Sequence, residues 1–222
     1  MSTEKHWATK QTVKQDEVRD FVAQGIDKAL KHKREVGIGA AVVAVVAVAG
    51  GLFAYSRQAA ENDAWEKLSM AEAYSYYGKA PEAQTAIAEA ASQSASPAAA
   101  GLAGMMDGEL KQAAGKPDEA AAAFAKAAQT STPELAPFAL ADQVLALEAA
   151  GKAAECAASA QSFLDARADH FLAPLVHETM GRCQMRAGNL SAAKATWQKI
   201  ALQYPDTPWA ARANAQLQQA TK

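Results

Sequence analysis

The sequence predicts an all-α protein, a helical-hairpin solenoid preceded by a single transmembrane helix. Four glycines, Gly78, Gly115, Gly151 and Gly188, recur at intervals of 37, 36 and 37 residues. A repeat period of this size is typical of stacked helix pairs. A second observation is one long apolar segment without charge near the start of the chain. Outside that segment alanine is abundant and β-branched residues are scarce, which favours helices over strands.

Residues 1–35 are predicted to form a cytoplasmic tail that ends in an amphipathic helix. The tail carries eight basic and six acidic residues, a net charge of +2. Its apolar residues are spaced for one helical face. They are Val18, Phe21, Val22, Ile26, Ala29 and Leu30. Such a helix either lies on the lipid surface or docks on a protein partner, and the sequence favours neither.

Residues 36–55 are predicted to form the transmembrane helix, since these 20 residues contain no charge. A helix of this length spans the hydrocarbon core of a bilayer, about 30 Å. The 20 residues before the segment hold five basic side chains and the 20 after it hold two. Because positive residues favour the cytoplasm, we expect a cytoplasmic N-terminus, an inner-membrane location and a periplasmic C-terminal domain.

A cleaved signal peptide is the alternative for this segment, because Ala47-Val48-Ala49 resembles a cleavage site. Signal peptides have short basic leading regions, whereas this leader is 35 residues long and carries six acids. We therefore expect an uncleaved anchor.

A stripe of small residues runs along this predicted helix and consists of Ala40, Ala44, Ala47 and Gly51. The stripe is either a packing face for a partner helix or a consequence of alanine-rich composition.

Residues 56–222 are predicted to form about four helix pairs and a C-terminal capping helix. A glycine ends the first helix of each pair, because it adopts a left-handed conformation without strain. The residues five and nine positions later place an apolar stripe on the second helix. At five they are Ala83, Ala120, Cys156 and Ala193, and at nine Ile87, Phe124, Ala160 and Trp197. Ser96 and Thr132 precede prolines and are expected to cap the next helices, as is Asp206 or Thr207.

This pattern resembles the tetratricopeptide repeat. In that family a small residue seven positions before the turn glycine packs against the small residue five positions after it. Those earlier positions hold Ala71, Gly108, Val144 and Gly181. The sequence departs from the family at positions where a large aromatic residue is common, which hold Lys67, Gly104, Leu140 and His177.

The layout of tail, span and repeats over the whole chain is similar to the YfgM-like family, the ancillary subunit of the SecYEG translocon. This resemblance implies a scaffold that binds proteins on its concave face and assists exported proteins together with periplasmic chaperones and foldases. A coordinator of cell division or outer-membrane assembly is the alternative in the same class. An envelope enzyme is a more remote alternative.

The residues themselves point to no catalytic, cofactor or metal site. The segment from Ser56 to Lys222 has a net charge of −4, which argues against nucleic acid as a partner. His170, His177 and Cys183 lack the spacing of a zinc site. Cys156 and Cys183 form either a disulfide or two small core positions. Four aromatic residues line a peptide groove or pack the first helix: Trp65, Tyr74, Tyr76 and Tyr77.

Overall fold

The computed structural model describes residues 32–94 and 96–219, which form nine α-helices and no strand. The predicted amphipathic helix falls on residues 18–30 and therefore lies outside the described residues. The helices are α1 (Lys33–Tyr76), α2 (Ala80–Gln93), α3 (Pro97–Ala113), α4 (Pro117–Thr130), α5 (Ala136–Ala149), α6 (Ala153–Ala166), α7 (Ala173–Arg186), α8 (Leu190–Gln203) and α9 (Pro208–Gln219).

The chain divides into two compact units after Ser56. In the first unit, the N-terminal part of α1 is exposed throughout, and it is apolar after the charged residues Lys33, Arg34 and Glu35. Its most apolar window has a mean hydropathy of 2.4, and none of that window is buried. The helix is long and apolar enough to span a membrane.

The second unit begins at Arg57 and contains the repeats. We call the helices that precede the turn glycines the first helices and those that follow them the second helices. The first helices are the C-terminal part of α1 together with α3, α5 and α7, and the second helices are α2, α4, α6 and α8. Buried side chains of both kinds share common cores, as Phe124 and Phe163 of second helices do with Val144 and Val176 of first helices.

Each of the four turn glycines has a positive φ, between +69° and +79°. At every turn, the next residue's N–H donates a hydrogen bond back to a carbonyl five residues earlier, as Lys79 does to Tyr74 at 2.8 Å. The same bond runs from Lys152 to Leu147 at 3.0 Å. This is the Schellman arrangement, which ends a helix on a left-handed residue and pairs its last carbonyls.

Ser96 holds the predicted N-cap position, whereas the predicted cap at Thr132 is wrong. Ser96 stands at the N-cap of α3, but its side chain makes no capping hydrogen bond. Thr132 precedes a turn instead, because its carbonyl accepts from the N–H groups of Leu135 and Ala136, so that α5 begins only at Ala136. Thr207 does cap as predicted, since its Oγ1 accepts from the Ala210 N–H at 3.3 Å.

Two close helix–helix contacts are made by Gly108 and Gly181, which lie seven positions before their turn glycines. A Cβ atom on Gly108 would lie 2.5 Å from the ring of Phe124, and one on Gly181 would lie 2.5 Å from Trp197 Nε1. In these two repeats the small residue before the turn therefore lies against the large residue nine positions after the turn. Because a glycine Cα takes little space, an aromatic ring fits against it without separating the two helices.

Candidate protein-binding face

The first helices carry equivalent residues at positions 13, 9, 6 and 2 before each turn glycine. Steps of four, three and four residues place these positions on one side of a helix. We call this set the first-helix face. It consists of Trp65, Ser69, Glu72 and Tyr76 on α1; Leu102, Met106, Glu109 and Ala113 on α3; Phe138, Asp142, Leu145 and Ala149 on α5; and Leu175, Thr179, Arg182 and Arg186 on α7.

One row of this face is apolar on all four helices. Trp65 is 40% exposed and Phe138 is 37% exposed, while Leu102 and Leu175 are half-buried. These side chains belong to four successive repeats, so the row crosses the stack rather than following one helix. Partly exposed large apolar residues arranged in this way are typical of surfaces that bind other proteins.

At the C-terminal end of the face, acidic and basic side chains are paired. Arg182 donates from Nε and Nη2 to the two carboxylate oxygens of Glu148, both at 2.7 Å. Arg186 Nη1 lies 3.4 Å from the same carboxylate, which is largely buried. Arg212 of α9 donates in the same two-pronged way to Glu178 of α7, at 2.6 and 3.3 Å. These pairs join α5, α7 and α9 side by side.

In the middle of the face, two carboxylates have no basic partner among the described residues. Asp142 of α5 is partly buried, and burial together with the negative charge of Glu109 on α3 raises its pKa to about 6. The segment Ala136–Ala149 contains no lysine or arginine. The face therefore changes from charge-paired at α7 to negatively charged between α3 and α5.

An aromatic cluster begins one helical turn before Asp142 on α5, at Phe138. The Phe138 ring lies 5.6 Å from that of Phe171, which is 68% exposed, and 6.2 Å from that of His170. His170 and Phe171 lie between α6 and α7, in the connection from one repeat to the next. This cluster could not be predicted from the sequence, because Phe138 and Phe171 meet only when the third and fourth repeats stack, and no motif spacing signals that contact.

Of the four aromatic residues singled out from the sequence, one is half-buried and three are exposed. Tyr74 is half-buried and packs against the core of the first repeat, together with Leu68 and Ile87. Trp65 and Tyr76 lie on the first-helix face, and both are exposed. Tyr77 is exposed beside the turn, with its ring 5.4 Å from that of Tyr76.

Cys156 and Cys183 form a disulfide in the structure, with their Sγ atoms 2.02 Å apart. It joins α6 of the third repeat to α7 of the fourth, and both residues are completely buried. The bond therefore crosses the boundary between two repeats. Their positions hold alanine in other repeats, for example Ala120 and Ala146.

His177 is buried, and its Nδ1 atom has no hydrogen-bond partner among the described residues. Burial, with a smaller effect from the positive charge of Lys199, lowers its pKa to about 4. It is therefore a neutral core residue at pH 7. Within residues 32–94 and 96–219, no group of three or more potential metal ligands is present.

The small residues Ala40, Ala44, Ala47 and Gly51 are all exposed on α1. They stay a predicted packing face, as the described residues contain no second helix that is long and apolar enough to span a membrane.

Comparison with known proteins identifies the fold. No protein-family model and no curated protein matches the sequence. Two crystal structures of nearly identical TPR-like repeats from a Podosopora anserina putative kinesin light chain are similar to this chain, with TM-scores of 0.53 and 0.52. Each is 16% identical and covers 70% of this chain, and the match spans 88% and 89% of those chains. The fold is thus an all-α, tetratricopeptide-like helical-hairpin solenoid with a long apolar N-terminal helix.

Proposed function

We propose that this protein is a non-catalytic, membrane-anchored scaffold whose first-helix face binds other polypeptides. The observation that carries the proposal is the partly exposed apolar row on four successive first helices, Trp65, Leu102, Phe138 and Leu175. Trp65 and Phe138 each expose more than a third of their surface, which leaves them available to a partner. Stacked helix pairs commonly use such an extended surface to bind polypeptides.

The anchor is residues 36–55, with the N-terminus in the cytoplasm and the repeats in the periplasm. The excess of basic residues before the segment supports this orientation. The disulfide between Cys156 and Cys183 supports it independently, because disulfides persist in oxidising compartments such as the periplasm.

The partners we propose are subunits of the Sec translocon and periplasmic foldases, with exported proteins as clients. The order of tail, span and repeats supports this choice. In such an assembly the span holds the protein beside the translocon, and the small-residue stripe from Ala40 to Gly51 contacts a membrane helix of the complex.

Recovery of partners from mildly solubilised membranes tests the proposal. The full chain, Phe138→Ala and Leu202→Ala are purified in parallel, and bound proteins are identified by mass spectrometry. Leu202 is the matched control, since it is a highly exposed apolar residue on second helix α8. We expect translocon subunits and a foldase with wild type and Leu202→Ala, and less bound client with Phe138→Ala.

Recovery only of cell-division or outer-membrane assembly proteins contradicts the translocon assignment and leaves the scaffold role in place. Equal recovery of client proteins with all three forms contradicts the assignment of client binding to the first-helix face. A thermal unfolding curve for each form verifies that a loss of binding does not reflect a loss of folding.

A further inference from the structure

We propose, resting on the function above, that the first-helix face between α3 and α5 binds a segment in which an arginine stands among apolar residues. The guanidinium group faces Asp142 and Glu109, and the apolar neighbours contact Phe138 and Phe171. The occupant is an extended stretch of another protein. This inference names the chemistry of the partner, which the apolar row by itself does not.

The chain's own arginines show how such a group binds on this side of the stack. Arg182 pairs with Glu148 on the preceding first helix, and Arg212 of α9 pairs with Glu178 on α7. The Arg212 guanidinium also lies 4.4 Å from the ring centroid of Trp209. Carboxylate and aromatic ring together thus hold the Arg212 guanidinium beside α7 and α9, as expected from its planar charge and five donors.

The equivalent arginine is missing between α3 and α5. Arg182 lies six positions before its turn glycine, Gly188. The equivalent residue of α5, six positions before Gly151, is the uncharged Leu145. Since Ala136–Ala149 contains no basic residue, the negative charge of Asp142 and Glu109 is left without a cation from the described chain. A guanidinium from another protein is the complementary group.

The aromatic cluster is an independent second feature of this site. Phe138 precedes Asp142 by one helical turn on the same face, and its ring contacts the exposed ring of Phe171. An apolar segment without a cation would cover Asp142 and leave its charge desolvated and unpaired, which is costly. An acidic segment would be repelled. A segment that offers both arginine and apolar side chains satisfies both features.

The test uses three matched sets of short immobilised peptides. Each set carries the same collection of apolar flanking sequences, and the central residue is arginine, citrulline or glutamate. Citrulline is a neutral isostere of arginine, so it removes the charge and keeps the shape. The probes are exposed to detergent-solubilised full chain as wild type, Asp142→Asn and Asp165→Asn. Asp165 is the control, being an exposed acid on second helix α6.

We expect wild type and Asp165→Asn to bind the arginine set about tenfold better than the citrulline set. Asp142→Asn should lose most of this preference and retain its binding to the citrulline set. Equal binding of arginine and citrulline sets by wild type overturns this inference while the scaffold role stands, as does preference for glutamate. If none of the sets binds, this inference is wrong, and the partner recovery above decides the scaffold role separately.

Discussion

Gly181 of α7 lies directly against the indole of Trp197 on α8, and a Cβ atom at Gly181 would be 2.5 Å from Nε1 of that ring. Trp197 is among the largest fully buried side chains. Its ring cannot move away without disturbing its other neighbours, including Ile200 in the same core. This contact therefore sets how closely the two helices of the fourth repeat approach each other.

Gly181→Ala should lower the free energy of unfolding by about 2 kcal/mol, because an added methyl group overpacks this contact. Denaturant unfolding followed by circular dichroism measures the effect. In the first repeat the equivalent pair is Ala71 and Ile87. There, alanine in place of glycine is accommodated because its partner is an isoleucine, which is smaller than tryptophan. The double variant Gly181→Ala with Trp197→Ile should therefore be destabilised by about 1 kcal/mol less than the sum of the single variants. Strict additivity would contradict this account.

Removing the disulfide should destabilise the repeat domain by about 3 kcal/mol, since a bond across 27 residues restricts the unfolded chain. The variant Cys156→Ala with Cys183→Ala is suitable, because alanine occupies both positions in other repeats. Its urea midpoint should fall below that of oxidised wild type and equal that of fully reduced wild type. Equal midpoints for the oxidised wild type and the double variant would show that the bond contributes no stability.

Asp142→Asn should stabilise the protein at neutral pH. The folded-state pKa of Asp142 is raised to about 6 from its ordinary value of 3.8. The contribution of Asp142 to the free energy of unfolding is therefore most favourable below about pH 4, and it is lost as the pH rises through 6. The difference in unfolding free energy between variant and wild type should therefore grow from pH 4 to pH 6 and then level off. A difference that is constant across this range would contradict the raised pKa.

His177→Leu should make the free energy of unfolding less sensitive to acid. The folded-state pKa of His177 is lowered to about 4 from 6.5, so the folded protein binds fewer protons than the unfolded chain between these values. Stability should fall as the pH drops from 6.5 towards 4, and this part of the loss should be absent in the variant. Leucine is the matched choice, because Leu140 occupies the equivalent position in the third repeat. Parallel pH profiles for the two proteins would show that His177 does not titrate in this range.

The fold could be predicted from the sequence because local backbone requirements repeat along the chain. Gly78, Gly115, Gly151 and Gly188 each occupy a left-handed position, and this requirement is visible in residue type alone. The missing capping hydrogen bond at Ser96 and the turn that begins at Thr132 could not be predicted, because hydroxyls next to prolines suit a turn as well as an N-cap.

The details of the binding face depend on how repeats stack, which the sequence pattern does not specify. The turn glycines recur every 36 or 37 residues, whereas the pairs of Glu148 with Arg182 and Glu178 with Arg212 span 34. The spacing of 34 differs from the repeat period because a long arginine side chain reaches a glutamate at a different height along the neighbouring helix. For the same reason, the meeting of Phe138 and Phe171 and the unpaired state of Asp142 become visible only in the folded stack.

The most direct test of the central claim is site-specific photocrosslinking in intact membranes. A photoreactive residue is placed at Trp65 or Phe138 on the first-helix face, or at Leu202 on a second helix, and crosslinked polypeptides are identified by mass spectrometry. All three side chains are large, apolar and exposed. We predict crosslinks to other proteins from Trp65 and Phe138 and few from Leu202. Crosslinks from Leu202 alone, or from none of the three positions, would contradict binding by the first-helix face.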